Sequence, residues 1–513
     1  MVTRVSAQAV GKKVAKNVQK NVTRAVSGTL GLTGERMSKV DTAWLRMDTP
    51  SNLMMIVGVW QLTPGVSHAA VCERMESSLL KYARFRQRVM EDTAGATWVN
   101  DRYFDLKNHV IAEKLPKTAR GKEQEVLQDR VAELAMQPLD RKRPLWQIHL
   151  VEDYTGPDGV KGSAMIVRIH HCIADGIALI SVTMSLVDGG AAPPERPKKE
   201  TGGGAEDWIA DALLKPFTDL TVKALGAAGE GAVRSLHLLS DPQKGMAGSM
   251  DMAKVMLQVL KDGAALALMP DDSKTRLKGK PGTTKKVAWC QPIPLDEVKA
   301  IGKALNCSIN DVLLSCVAGA IGEYLKSHGD DVKGQEIRAM VPVNLRPMEQ
   351  AYKLGNRFGL VPLVLPIGVD NPIERVFTVR SRMNNLKGSL QPLLTFGLLS
   401  VAGLLIKPAQ DAMLALFGRK TTAVMTNVPG PATKLKVCGS TLEQTMFWVP
   451  QTGTVGLGVS ILSYGGGAED WIADALLKPF TDLTVKALGA AGEGAVRSLH
   501  LLSDPQKGMA GSM

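Results

Sequence analysis

The sequence predicts an α/β protein built from two α/β halves, on three observations. Short β-rich runs lead directly into segments of helical periodicity, as in chains where strands feed helices. The alternation occurs twice, first from Met37 to about Leu186 and again from about Val287 onward. A stretch of Gly, Pro, Lys and Glu from Asp188 to Gly204 lies between them and reads as an interdomain linker. At 513 residues the chain is also too long for one ordinary core.

In the first half, residues 56–62 read as a strand and 69–82 as a helix. Residues 146–151 form a second strand behind Pro144, and 163–169 a third, running straight into two histidines; 177–186 then carries helical periodicity. Helical segments follow the linker to about Met269, and a basic Gly- and Pro-containing stretch occupies 271–286. The second half offers helices at 295–305 and 310–325, a strand at 337–343 and an alternating strand at 360–367. The expected divisions are a basic extension (1–35), a first α/β domain (36–187), a linker with helices (188–286), a second α/β domain (287–464) and a terminal segment (465–513).

Composition narrows the function. Apolar residues make up 45% and charged residues 22%, the balance of a folded chain. Lys and Arg number 62 against 50 Asp and Glu, and the resulting +12 suits anionic partners such as a phosphorylated cofactor or a membrane surface. No basic motif interleaved with aromatics is present, so no nucleic-acid partner is expected. Six cysteines (72, 172, 290, 307, 316, 438) show no C-x-x-C spacing, which argues against structural zinc and a disulfide framework and for reduced thiols in a cytoplasm. No 18-residue uncharged apolar run and no signal-peptide pattern is found.

Residues 1–34 hold no acid, and Val10, Val14, Val18 and Val22 recur every fourth position among lysines. That pattern fits either a helix lying on an anionic lipid surface or a solvated basic tail. Residues 202–250 and 465–513 are identical throughout. Structural repeats diverge while keeping a pattern. A very recent duplication, or an error in assembling the sequence, therefore accounts for this better, with the second copy as the intruder.

The strongest chemical signal is His170-His171-Cys172-Ile173-Ala174-Asp175-Gly176, at a strand end and a helix start. An imidazole titrates near neutrality and suits a general base that takes a hydroxyl proton. Adjacent strand residues point to opposite faces, so only one of the two histidines faces a site. Asp175 would hold the turn or orient the ring, and Gly176 would allow a tight backbone path. The rival readings are a zinc site, disfavoured because neighbouring histidines diverge and no third ligand has regular spacing, and a purely structural pair.

With its surroundings, this motif resembles that of the coenzyme A-dependent acyltransferase superfamily, and closely that of the bacterial wax ester synthase/acyl-CoA:diacylglycerol acyltransferases. The further matching blocks are Met37 to Asp41 with Trp44-Leu45 and Thr49-Pro50, Pro144-Leu145-Trp146, Ser308 to Val312, Val341 to Arg346, Gly355 to Gly359 and Thr426 to Pro431. They run in order over roughly residues 36–464. The resemblance implies two chloramphenicol-acetyltransferase-like domains with a substrate tunnel between them. It implies direct transfer of a fatty acyl group from acyl-CoA to a long-chain alcohol or diacylglycerol, giving wax ester or triacylglycerol. His171 would be the base and Asp175 structural, with no acyl-enzyme at Cys172, no permanently bound cofactor and no metal.

The candidate catalytic set is therefore His171, His170, Asp175 and Asn310. Asn310 and Asp311 open a helix, where they either cap free amides or, for Asn310, support a developing oxyanion. Gly176, Pro144, Leu145, Trp146 and Asp311 are motif positions, with the Pro-Leu-Trp block packing beneath the site. Asn356 and Arg357 suit a tight turn and are candidate substrate contacts, Arg357 for a cofactor phosphate. The apolar stretch 392–406 fits a core helix, a tunnel wall or a lipid-facing surface. The expected location is cytoplasmic, in peripheral contact with the inner membrane or lipid inclusions. A second reading is a catalytically impaired lipid-surface protein, in which the basic N-terminal segment and the apolar stretch bind lipid while the altered C-terminus, lacking an edge element of the second half, leaves the site inactive.

Overall fold

The computed structural model describes residues 34–92, 95–116, 121–190, 265–266, 268–346, 350–387, 389–405, 407–465 and 467–473. The basic N-terminal segment, residues 191–264 of the linker and the first copy of the duplicate lie outside them. Along the first half run β1 (Glu35–Arg36), α1 (Lys39–Arg46), β2 (Met55–Thr63), α2 (His68–Ser77), β3 (Gln87–Asp92), β4 (Gly95–Asn100) and β5 (Val110–Glu113). There follow α3 (Glu123–Met136), β6 (Trp146–Thr155), β7 (Lys161–His170) and α4 (Gly176–Leu186). The second half opens with β8 (Ala288–Trp289), β9 (Ile293–Pro294), α5 (Leu295–Ala304), α6 (Ile309–Ser327), β10 (Ile337–Asn344) and β11 (Phe358–Leu365). It continues through α7 (Pro372–Lys387), α8 (Gln391–Ala402), α9 (Lys407–Arg419), β12 (Ala423–Pro429), β13 (Lys436–Val437), β14 (Ser440–Trp448), β15 (Leu457–Tyr464) and β16 (Gly467–Ala473).

Two large sheets result. The first has the order β13-β14-β2-β7-β6-β5, and the second β11-β10-β12-β15-β16-β8, with β9 also on β16. In β2 and β7, alternate residues feed opposite faces. Trp60, Leu62 and Met165 enter a core shared with α1 and α4, while Val57, Val59 and Ile166 pack with Leu127 and Val131 of α3 on the other face. In the second sheet, Ala339, Val341, Val361, Leu363, Ala423 and Met425 bury one face against Val312, Val317 and Ile321 of α6.

The linear division into halves is broken in one place. Residues 436–448, placed by sequence in the second domain, pair with the first sheet: β14 runs antiparallel to β2, with Phe447 opposite Gly58 and Trp448 opposite Val57. Asp188, at the end of the first half, clamps this excursion by accepting from the backbone N–H groups of Cys438 (3.0 Å) and Gly439 (2.7 Å). The terminal copy also behaves differently from expectation. Its residues 467–473 pair antiparallel with β15 and continue the sheet to β8 and β9. The missing edge element is thus supplied by the duplicated sequence.

Helix α8 comes from the apolar stretch at 392–406 and closes one side of the site described below. Two glycines permit its approach. A Cβ on Gly359 would lie 1.9 Å from the Pro392 carbonyl oxygen, and one on Gly403 would lie 1.8 Å from that of Lys39 in α1. Both obstacles are backbone and cannot swing away. Gly359→Ala should therefore lower the unfolding free energy by about 1–3 kcal/mol through overpacking, read from a denaturant midpoint. An unchanged midpoint would mean that α8 can retreat from the sheet freely.

Candidate active site

β7 delivers the two histidines at its C-terminal end. The His170 N–H donates to Leu145 O (2.9 Å) and the His171 N–H to Met54 O (2.7 Å), so neighbouring strand ends hold both. As the alternation requires, the side chains part. His170 accepts at Nδ1 from the Cys172 N–H (3.2 Å), and its Nε2 lies 3.4 Å from Asp48 Oδ2. With Nδ1 accepting, Nε2 carries the proton and donates to that carboxylate. His170 does not line the cavity that His171 lines. It buttresses the turn.

His171 is sandwiched. Its ring stacks on Trp44 of α1 with centroids 4.3 Å apart and planes 13° from parallel, while Phe358 of β11 lies tilted at 5.7 Å. Its Nδ1 is 2.8 Å from Asn356 Oδ1. The Asn356 amide is itself oriented, because Nδ2 donates to Asp41 Oδ1 (2.9 Å) and to His171 O (2.7 Å). Reversing it would set the amide oxygen against two acceptors. Asn356 therefore presents a carbonyl to the ring, Nδ1 must carry the hydrogen, and Nε2 keeps its lone pair. Burial pushes the imidazole down to about 4 from the usual 6.5, although Asp175 pulls the other way. Near neutral pH the ring is an uncharged acceptor.

Behind Asn356 stands a buried charge. Asp41 is 1% exposed and accepts from the Asn356 backbone N–H (2.9 Å) as well as its side chain. Arg84 lies 3.3 Å from the other Asp41 oxygen and donates to Ile173 O (2.8 Å). Burial raises the Asp41 carboxyl, and Arg84 and Asn356 oppose that rise. Gly355 sits at φ +109°, and a Cβ there would be both strained and 3.2 Å from Arg84 Nη1 and Asp41 Oδ2.

Asp175 caps α4 by accepting from the Ala178 N–H (2.9 Å). Its other oxygen accepts from Arg346 (2.8 Å) and from the Arg357 N–H (2.9 Å). It thus ties the motif to the second half, helped by the backbone bridge between Ala174 and Gly355. Gly176 differs from its expected role: a Cβ there would meet nothing within 4 Å, so no tight path is demanded, and the open space beside it is cavity.

That cavity, about 310 Å³, is walled by both halves. The first contributes Trp44, Met47, His171, Asp175, Gly176 and Ile177. The second contributes alternate residues of three strands (340, 342 and 344; 358 and 360; 424, 426 and 428) together with side chains of α8 and α9. These are the faces opposite the second core, as the two-residue strand period dictates. A second, apolar chamber of about 160 Å³ lies between α4 and the first sheet and shares Gly176, Val428, Phe447 and Val449 with the first.

The remaining sequence candidates fall as follows. Leu145 and Trp146 are buried beneath the site, and Trp146 Nε1 donates to Phe85 O (2.8 Å) while Pro144 lies just before the strand. The helix N-cap is Ser308, which with Asp311 forms a reciprocal capping box, so Asn310 caps nothing. Its Oδ1 accepts from Asn427 Nδ2 (3.0 Å), and Asn427, not Asn310, reaches the cavity wall. Arg357 is half-buried and does not line the cavity. In the basic stretch, Arg276 pairs with Asp330, Lys278 donates to Gly418 O (2.7 Å) and Lys286 meets Asp129 (3.1 Å). Asp41, Arg84 and the stacking of Trp44 were missed as site features. The i, i+3 spacing of Asp41 and Trp44 on one helix was the available signal.

Family profiles now bear on this arrangement. That of the wax ester synthase/diacylglycerol acyltransferase catalytic domain matches residues 37–313, and that of the family's C-terminal domain matches 354–469. The chain belongs to this family. It is an acyltransferase of the wax ester synthase/diacylglycerol acyltransferase type. A probable diacylglycerol O-acyltransferase of Mycobacterium tuberculosis H37Rv is 26% identical over 443 residues, covering 83% of this chain and 88% of that protein. A putative one from Mycobacterium bovis is 28% identical over 381 residues, covering 71% and 78%. The fold is shared with the wax ester synthase/diacylglycerol acyltransferase of Marinobacter aquaeolei VT8 (TM-score 0.61, 19% identity, 90% of this chain and 99% of that one). It is also shared with the SgcC5 protein of Streptomyces globisporus (TM-score 0.52, 14% identity, 90% and 99%).

A buried neutral imidazole has a spectroscopic signature. In an NMR titration of this acyltransferase, His171 should stay largely unprotonated through pH 5.5 and reach its midpoint near pH 4. Because the folded pKa is the lower one, the native state binds fewer protons than the unfolded state in this window. Stability should therefore decline as pH falls from about 6.5 toward 4. Protonation near 6.5 would show that the ring is more solvated than its packing indicates.

Proposed function

We propose that the chain transfers a fatty acyl group from acyl-CoA to a long-chain alcohol or diacylglycerol, with His171 Nε2 as general base. The observation that carries this reading is the Asn356–His171 hydrogen bond. It directs the lone pair of a neutral imidazole away from Asn356, on a ring that walls an apolar cavity. The acceptor hydroxyl gives its proton to Nε2 as its oxygen bonds to the thioester carbonyl carbon. The carbon–sulfur bond then breaks, and the coenzyme A thiolate takes that proton back. Nothing is oxidised or reduced. Cys172 takes no covalent part: it is 0% exposed, and burial pushes its thiol well above its ordinary value.

In this scheme Asp175 organises the turn through Arg346 and the α4 cap, and Asn356 sets the tautomer. Wall chemistry supports the substrate class, since two apolar chambers that share wall residues suit aliphatic chains. The second reading, of an impaired lipid-surface protein, rests on the basic N-terminal segment, the apolar helix and the altered C-terminus; the pairing of residues 467–473 with β15 weighs against the last of these.

Purified protein with palmitoyl-CoA and hexadecanol or a diacylglycerol should release free thiol and form ester. His171→Ala should lower the rate roughly 10²–10⁴-fold, and Asn356→Leu should also slow turnover by releasing the ring. Equal ester formation without His171 would end the base assignment.

Peripheral contact with a lipid surface fits the exposure of Leu393 (47%) and Leu404 (54%), in and just beyond the helix that walls the cavity. Among the described residues no single helix is long and apolar enough to cross a membrane. Leu393→Ser with Leu404→Ser should reduce flotation with phosphatidylglycerol-containing vesicles while leaving turnover of a short, soluble acyl-CoA unchanged. Undiminished flotation would assign lipid contact elsewhere.

A further inference from the structure

The Thr49-Pro50 block contributes no side chain to the cavity wall. It belongs to the turn between α1 and β2, where the Thr49 N–H donates to Asn52 O (3.0 Å) and the Asn52 N–H to Thr49 O (3.1 Å). The turn returns the chain to Asp48, the residue just before it. Asp48 Oδ1 accepts from the Met54 N–H at 2.6 Å, and Met54 O accepts from the His171 N–H at 2.7 Å. A single residue thus separates this carboxylate from the main chain of the base.

The second oxygen serves the flanks of His171. Asp48 Oδ2 lies 3.4 Å from His170 Nε2, a long contact between a ring N–H and an anion, and 3.2 Å from Arg141 Nη2. His170 Nδ1 in turn accepts from the Cys172 N–H (3.2 Å), so the residues on both sides of His171 are tied to the same carboxylate. Arg141 Nη2 also donates to Leu45 O (3.0 Å) in the last turn of α1, the helix that carries Asp41 and Trp44. The Asp48 side chain is 20% exposed. Hydrogen bonds to an anion are stronger than those between neutral groups. Placement matters here because a base acts only within hydrogen-bond reach of the proton it takes, and a shift of about 1 Å can cost roughly 10²-fold in rate.

We propose that Asp48 is a positioning residue for acyl transfer, holding the main chain of His171 through Met54 on one side and the His170 ring on the other. The proposal rests on the reading of His171 as the base. Three donors converge on Asp48: the Met54 N–H, the His170 Nε2–H and the Arg141 guanidinium. A carboxylate can accept from all of them, because both its oxygens are acceptors. An asparagine cannot. With its oxygen on the Met54 N–H, its NH2 group confronts the ring N–H and the guanidinium; turned round, it opposes the Met54 N–H.

The test compares Asp48→Asn, Asp48→Glu, His171→Ala and the double variant of Asp48→Asn with His171→Ala, assayed with palmitoyl-CoA and hexadecanol. Asp48→Asn should lower kcat on the order of 10- to 10²-fold. KM for the thioester should change little, since Asp48 does not line the cavity. Asp48→Glu, which returns the carboxylate, should recover part of the loss. In amide hydrogen exchange, Asp48→Asn should speed the His171 and Cys172 amides while those of α6 keep the protection of the parent. Because Asp48 acts through His171, the double variant should be no slower than His171→Ala alone. Parental kcat in Asp48→Asn would overturn the proposal. So would an equal loss of protection in α6, a glutamate no better than asparagine, or a further loss of rate in the double variant. If His171→Ala is inactive while Asp48→Asn turns over like the parent, only the positioning role falls; if His171→Ala keeps full turnover, the base reading falls and takes this role with it.

Discussion

The amide of Asn356, placed between Asp41 and His171, is the constraint on which the rest of the site depends. A neutral imidazole can carry its proton on either nitrogen, and only one choice leaves a lone pair for substrate. Asp41 and the His171 carbonyl occupy both amide hydrogens of Asn356, which obliges its oxygen to face the ring. Asp41 and His171 belong to the first half and Asn356 to the second. The contact that sets the tautomer is therefore also one that joins the halves, and the site exists only while they remain docked.

Burial has opposite consequences for the groups around this contact. It strips His171 of its positive form, so the ring is a neutral acceptor near neutral pH. It also makes Asp41 costly unless paired, and Arg84, Asn356 and the close fit at Gly355 answer that cost. Asp175 is treated likewise, with one oxygen on the α4 cap and the other on Arg346 and the Arg357 N–H. Most buried polar groups near the ring are thus satisfied within the protein.

Docking of the halves is reinforced through the sheets. β14 leaves the second half to lie beside β2, and the same excursion places Phe447 and Val449 at the junction of the two chambers. The strand that ties the halves together thus also lines both chambers. The strand at 467–473, drawn from a duplicated segment, extends the second sheet by backbone pairing between β15 and β8.

Local pattern was enough to read much of this from the sequence. The alternation of β-rich and helical segments placed β2, β6, β7, α4, α5, α6, β10 and β11 within a few residues, and the period of a strand already required His170 and His171 to part. The seven-residue motif identified the base candidate because its chemistry is concentrated in one short run. What only the tertiary structure decided is what depends on residues far apart in the chain. That includes the meeting of Asp41, Arg84 and Asn356 behind one ring, the partner of Asp175, the displacement of Asn310 by Asn427 at the wall, and the passage of β14 into the first sheet. Hydrogen-bond partners hundreds of residues apart leave no periodicity to read, since each is fixed by the packing of whole sheets and not by its neighbours in sequence.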